Sequence, residues 1–214
     1  MVSIDDIKTC NPVYGCPYKC IYCYASRLNQ RFKITPDFSV PIVMPQALKK
    51  IHSTKPTPWF MTSMSDFSCW PLDWRNQVFE EMKKYSKNEY MFLTKRPDLI
   101  KIDCKNMKNV WLGVTITKAA DLWRIKEMKK NMKASKYWLC IEPLHGDCGI
   151  LDLDGIGMII VGAETGFRSG KIVPQRAWVD GIVAQAKKRG IPVWMKDSLL
   201  GIPTKFIQDN LPLC

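Results

Sequence analysis

Val110-Trp111-Leu112-Gly113-Val114-Thr115-Ile116 is a short apolar run, rich in β-branched and aromatic side chains and bounded by polar residues, as expected for a strand covered on both faces. Beyond it, residues 119–131 space their apolar side chains at three- and four-residue intervals, and residues 137–141 form a second apolar run. Strand, helix and strand in that order predict a parallel crossover unit. The alternation continues outward: the same reading predicts strands at 59–64, 90–94, 158–162 and 193–195, a shorter strand before Asn11, and helices at 24–32, 74–85 and 175–189. Asp73 is expected to cap the 74–85 helix, and Gly190 followed by Pro192 to end the last one. Pro36, Pro41, Pro45, Pro56 and Pro58 surround a short helix expected at 46–52 and predict a well-defined surface excursion. Eight complete strand–helix units need about 250 residues. The 214 residues therefore predict one α/β domain over 1–214, a single-domain partial (β/α) TIM-like barrel with about six or seven parallel strands.

In such architectures ligands sit at the carboxyl ends of the strands. Almost every proposed strand exits into polar residues: Thr62-Ser63-Met64-Ser65-Asp66, Thr94-Lys95-Arg96, Thr115-Ile116-Thr117, Glu142-Pro143, Glu164-Thr165-Gly166 and Lys196-Asp197-Ser198. Any one such cluster is explained by loop entry and helix capping; their convergence on one rim predicts a site.

Lys plus Arg outnumber Asp plus Glu by 32 to 20, a formal charge of +12, which favours polyanions, nucleotides or acidic substrates, although much of the excess falls on solvated helix faces such as Lys126, Lys129 and Lys130. No stretch approaches the roughly 20 apolar residues of a membrane span, and the opening Met-Val-Ser-Ile-Asp-Asp has no basic region followed by an apolar run, so a cytoplasmic location is expected. The nine cysteines are then expected to be reduced.

Six of them are scattered: Cys10, Cys69, Cys104, Cys140, Cys148 and Cys214. Gly15-Cys16-Pro17-Tyr18-Lys19-Cys20-Ile21-Tyr22-Cys23 instead has the spacing Cys-x3-Cys-x2-Cys. Thiolates are the usual ligands of iron–sulfur clusters, and three of them leave one iron of a cubane open to a small molecule. Zinc is the alternative for the same thiols; it asks for a fourth Cys or His, for which Cys10 is the nearest candidate, while the two histidines, His52 and His145, lie far away in sequence. An electron-carrying ferredoxin lacks a fourth thiol at suitable spacing. The glycines of Gly162–Lys171 are misplaced for a phosphate-binding loop and no Ser or Thr follows the lysine, which excludes a P-loop nucleotidase.

With Tyr22 just before the last cysteine, the motif resembles that of the radical S-adenosylmethionine enzymes. A closer likeness, to phage- and prophage-associated proteins of that superfamily, is carried by Asn11-Pro12-Val13-Tyr14-Gly15-Cys16, Ser63-Met64-Ser65-Asp66, Leu93-Thr94-Lys95-Arg96-Pro97, Trp111-Leu112-Gly113-Val114-Thr115, Glu142-Pro143-Leu144, Gly162-Ala163-Glu164-Thr165-Gly166 and Trp194-Met195-Lys196. Many members of that group have longer inserts in the cysteine loop, whereas this chain has the compact spacing.

The resemblance implies a [4Fe–4S] cluster on Cys16, Cys20 and Cys23 that reductively cleaves S-adenosylmethionine to a 5′-deoxyadenosyl radical, which abstracts a substrate hydrogen. It implies a reducing partner such as flavodoxin or ferredoxin. By position it places Tyr22, Ser63, Ser65, Asp66, Thr115 and Glu142 around the cofactor, with capping and buried-strand roles as the alternatives for Asp66 and Thr115. Lys95, Arg96, Glu164, Arg168, Lys171 and Lys196 are candidates for an anionic substrate, a nucleotide or nucleic acid before a small acidic metabolite or peptide. A nonenzymatic, metal-stabilised nucleic-acid-binding module is the alternative from another class.

Overall fold

A computed structural model describes residues 6–199; the opening residues and Cys214 lie outside them. Seven strands form one sheet: β1 Lys8–Thr9, β2 Pro58–Phe60, β3 Glu89–Thr94, β4 Val110–Thr115, β5 Lys136–Ile141, β6 Ile156–Val161 and β7 Val193–Met195. Each is parallel to its neighbour and their order in the sheet is their order in the chain. The result is a parallel half-barrel sheet, α/β as the alternation predicts. Among the described residues four α-helices accompany it: α1 Tyr24–Phe32, α2 Leu72–Lys84, α3 Trp123–Asn131 and α4 Arg176–Lys188. Among the described residues no helix is long and apolar enough to cross a membrane.

Alternation along the strands divides the core. Tyr90, Phe92, Leu112, Val114, Leu139, Ile141, Ile159 and Val161 pack with helix residues such as Val78, Met82, Ile125, Met128 and Ile182. Their neighbours in sequence, Met91, Trp111, Trp138, Cys140, Met158, Ile160 and Trp194, form a second cluster on the opposite, concave face. Gly113 belongs to that inner face, and a methyl group there would overlap the Trp138 indole, so the glycine leaves space for the tryptophan of the next strand.

Several element ends differ from expectation for local reasons. The β2 ladder stops at Phe60, and Thr62 accepts the Leu93 N–H through its hydroxyl at 3.0 Å, which frees 63–66 to form a rim loop. Helix α2 starts at Leu72 because Pro71 takes the capping position and its carbonyl accepts the Arg75 N–H; Asp73 therefore lies in the first turn and is not the cap. The 119–131 segment divides into a 3₁₀ turn, Ala119–Asp121, and α3. Asp121 turns its carboxylate back to the Thr117 N–H and hydroxyl at 2.8 and 2.6 Å, a side-chain bond that competes with helix continuation. The short helix expected at 46–52 is the 3₁₀ segment Pro45–Ile51. Gly190 ends α4 as expected: at φ +66° it lets its own N–H and that of Ile191 reach the carbonyls of Lys187 and Ala186.

Candidate functional site

The concave face opens at the carboxyl ends of the strands into a cavity of about 1110 Å³. Its floor is Phe60, Met91, Trp138, Ile160 and Trp194, and its rim carries the polar strand exits together with the cysteine loop.

Cys16, Cys20 and Cys23 all line this cavity. Gly15 starts the loop at φ +102°, where an added Cβ would stand 2.7 Å from the Val40 carbonyl oxygen. The loop is tied down by its backbone: the Gly15 N–H donates to Met64 O and the Cys16 N–H to Phe38 O. Cys23 then caps α1, its sulfur accepting the Ser26 N–H at 3.3 Å. Tyr24 and Tyr18 reach across to the rim loop, the first donating to Ser63 O and the second sharing a 2.6 Å hydrogen bond with the Ser68 hydroxyl. A hydrogen bond with Cys69, and burial after it, push the Cys16 thiol up. Burial alone heads the causes for Cys20.

The alternative ligands lie elsewhere or are engaged. Cys10 is fully buried in the outer core and donates to Ala47 O. His52 pairs with Glu81 at 2.8 Å on a helix face. His145 approaches the Tyr22 ring edge-on, with centroids 5.2 Å apart, but its Nε2 is bound to Glu164 at 3.0 Å. Among the described residues, no three His, Cys, Asp or Glu side chains stand as the ready-made ligands of one ion. Cys16, Cys20 and Cys23 share one cavity and supply an all-thiol donor set, the kind that iron–sulfur clusters use.

Most of the other expected residues gather here. Ser63 donates to Asn11 Oδ1 at 2.8 Å, and Ser65 accepts the Trp70 indole N–H. The buried Asp66 caps the 3₁₀ turn Phe67–Cys69: its Oδ1 accepts from the Ser68 N–H and hydroxyl and from the Thr94 hydroxyl, and its Oδ2 accepts the Lys95 N–H at 2.8 Å. Thr115 is buried and its hydroxyl has no hydrogen-bond partner among the described residues. Glu142 pairs with Lys196 at 2.7 Å above Gly162, where a Cβ would stand 2.9 Å from Glu142 Oε1. Burial opposes the charge on Lys196, but Glu142 outweighs it and holds the ammonium above its ordinary range. Lys95 behaves likewise: burial opposes its charge, and nearby acidic groups, the Asp66 carboxylate among them, raise it overall. Burial also pushes the Tyr22 phenol up to about 12, which keeps it neutral. Glu164 receives both Arg168 nitrogens at 2.6 and 2.8 Å as well as His145.

Arg96, Arg168 and Lys171 do not line the cavity. Arg96 forks onto Asp98 outside it, Arg168 is committed to Glu164, and Lys171 folds back to Gly166 O at 3.2 Å. The sequence reading gives no site role to Tyr24 or Cys69, takes Asn11 only within a motif and meets His145 only as a zinc alternative; all four reach the site from loops or helices. Trp70 and Trp74 are core residues, their indoles donating to Ser65 and to Pro12 O.

Fold and site together define a parallel α/β half-barrel protein with a thiol-lined cavity on its carboxyl rim. The chain belongs to the family described as Protein of unknown function (DUF5131), whose model matches residues 5–200. No curated protein and no solved structure matches it.

Proposed function

We propose that this chain is a radical S-adenosylmethionine enzyme, a single-domain partial TIM-like barrel working in the cytoplasm, that acts on a base of a nucleotide-containing anion, with phage-related nucleic acid the preferred version. The observation that carries the reading is the opening of Cys16, Cys20 and Cys23 together into the cavity at the strands' carboxyl ends, away from Cys10 and His52. These thiols would hold a [4Fe–4S] cluster. When bound, cluster and S-adenosylmethionine supply a 5′-deoxyadenosyl radical by one-electron cleavage, the electron coming from a donor such as flavodoxin or ferredoxin.

The protein's own part is positioning and exclusion of water. A volume of about 1110 Å³ exceeds the range of an ordinary single-ligand pocket and leaves room for a second molecule beside the cofactor. The lining holds Lys19, Lys33, Lys95 and Lys196 against Asp37, Asp66, Glu142, Glu164 and Asp197, a near balance that suits a cationic cofactor and an uncharged base. Lys95 lines the cavity and has no carboxylate within ion-pairing distance among the described residues, which leaves it for an anionic group. The aromatic floor of Phe60, Trp138 and Trp194 offers flat apolar surface to a ring.

Anaerobic reconstitution with iron and sulfide, followed by absorption spectroscopy and an assay for 5′-deoxyadenosine, tests the reading. A brown protein that cleaves the cofactor on reduction is expected. A colourless zinc protein that leaves it intact would refute the proposal in favour of a metal-stabilised binding module.

A further inference from the structure

Phe167 is fully exposed at 107% of its reference surface, although the loop that carries it is tied down. Arg168 grips Glu164 with two nitrogens and donates to the carbonyls of Ser169 and Gly170; Lys171 donates to Gly166 O, and Arg27 of α1 to Thr165 O. Thr165 is exposed and also lines the cavity, so it lies at the mouth, and Phe167 stands just beyond it. The charge of Arg168 is consumed by Glu164, but Arg27 and Lys171 have no carboxylate within ion-pairing distance among the described residues. An aromatic face in water, flanked by two uncompensated cations at the mouth of a nearly neutral cavity, has the composition of a single-strand binding platform.

We propose that Phe167 stacks on a base of a single-stranded polynucleotide, outside the cavity and next to the base that enters it, while Arg27 and Lys171 take the adjoining phosphates. The inference rests on the nucleotide reading above and narrows it from nucleotide-containing anions in general to a single strand.

The test uses the full chain, short single-stranded DNA and RNA oligonucleotides carrying 2-aminopurine, nucleoside monophosphates, and anionic lipid vesicles. Phe167→Ala is expected to weaken oligonucleotide binding about tenfold and to abolish quenching of the probe. Phe167→Tyr should restore both, and monophosphate affinity should not change. Because Phe167 touches solvent, the alanine variant should melt with the parent. An alanine variant that binds oligonucleotides as tightly as a binding-competent parent would overturn the platform and leave the nucleotide reading standing. A parent that binds monophosphates but no oligonucleotide would overturn the platform alone, a parent that binds neither would overturn both, and loss of vesicle binding alone would assign Phe167 to a membrane surface.

Discussion

Asp66 and Glu164 are both carboxylates on the cavity wall, and their burial is tolerated because the protein occupies their oxygens. Asp66 accepts from four donors, so Asp66→Asn must turn an NH₂ group toward an existing N–H or O–H. A loss of about 1–3 kcal/mol is expected, seen as a lower urea midpoint at unchanged slope. An unchanged midpoint would show that the network relaxes. At Glu164 the Arg168 hydrogen bonds, aided by His145 and opposed by burial, hold the carboxyl below its ordinary value. A depressed native value stabilises the fold above the unfolded-state value, and that contribution is lost as pH falls through the native one. The stability difference between parent and Glu164→Gln should therefore shrink on acidification from about pH 5 downward; a difference constant with pH would contradict the assignment. For the thiols, alanine at Cys16, Cys20 or Cys23 should abolish iron retention, whereas Cys148→Ala, in the outer core, should retain it. Iron content per chain after anaerobic reconstitution distinguishes these outcomes.

Within the sheet, period-two alternation decides which groups meet. Lys95 continues the inward series of Met91 and Leu93 and faces the cavity, and Arg96 turns outward to Asp98. Applied strictly, that period would have separated the two cations from the sequence alone. The strands at 110–116, 137–141 and 193–195 were legible because burial on both faces leaves continuous apolar runs. The cap at Asp73 and the continuous helix at 119–131 were misread because Pro71 and the Asp121–Thr117 bonds act locally and leave apolar spacing undisturbed. The convergence of strand exits was legible from topology, but the arrival of Asn11, Cys69 and His145 depended on loop paths that no periodicity records. Gly113 marks how tightly inner-face neighbours fit: Gly113→Ala should overpack Trp138 and cost about 1–3 kcal/mol. Adding Trp138→Phe should recover part of that loss; strictly additive effects in this pair would show that the two positions are not in contact.

Across the molecule, charge is distributed unevenly. The formal excess is +12, yet the cavity lining is close to neutral, with Lys19, Lys33, Lys95 and Lys196 set against five carboxylates, so the excess lies outside the cavity. Some of the exterior charge is paired on helix faces, as Lys83 with Glu80 and Lys84 with Glu81 are on the exposed face of α2. A polyanion meeting this surface would leave its phosphates on the exterior and present one base to the interior, and the two parts of the contact should respond differently to salt. Each phosphate neutralised on a single strand contributes a slope of about −0.7 in log K against log salt, whereas stacking on the aromatic floor contributes almost none. Raising salt from about 50 to 200 mM should therefore weaken a twelve-nucleotide strand by an order of magnitude or more and a nucleoside monophosphate only slightly. Lys171→Ala and Arg27→Ala should each flatten the strand's slope by about the contribution of one phosphate and leave the monophosphate unaffected. Fluorescence anisotropy with both ligands over that salt range measures the slopes; equal slopes for strand and monophosphate would mean that the exterior charge takes no part in binding.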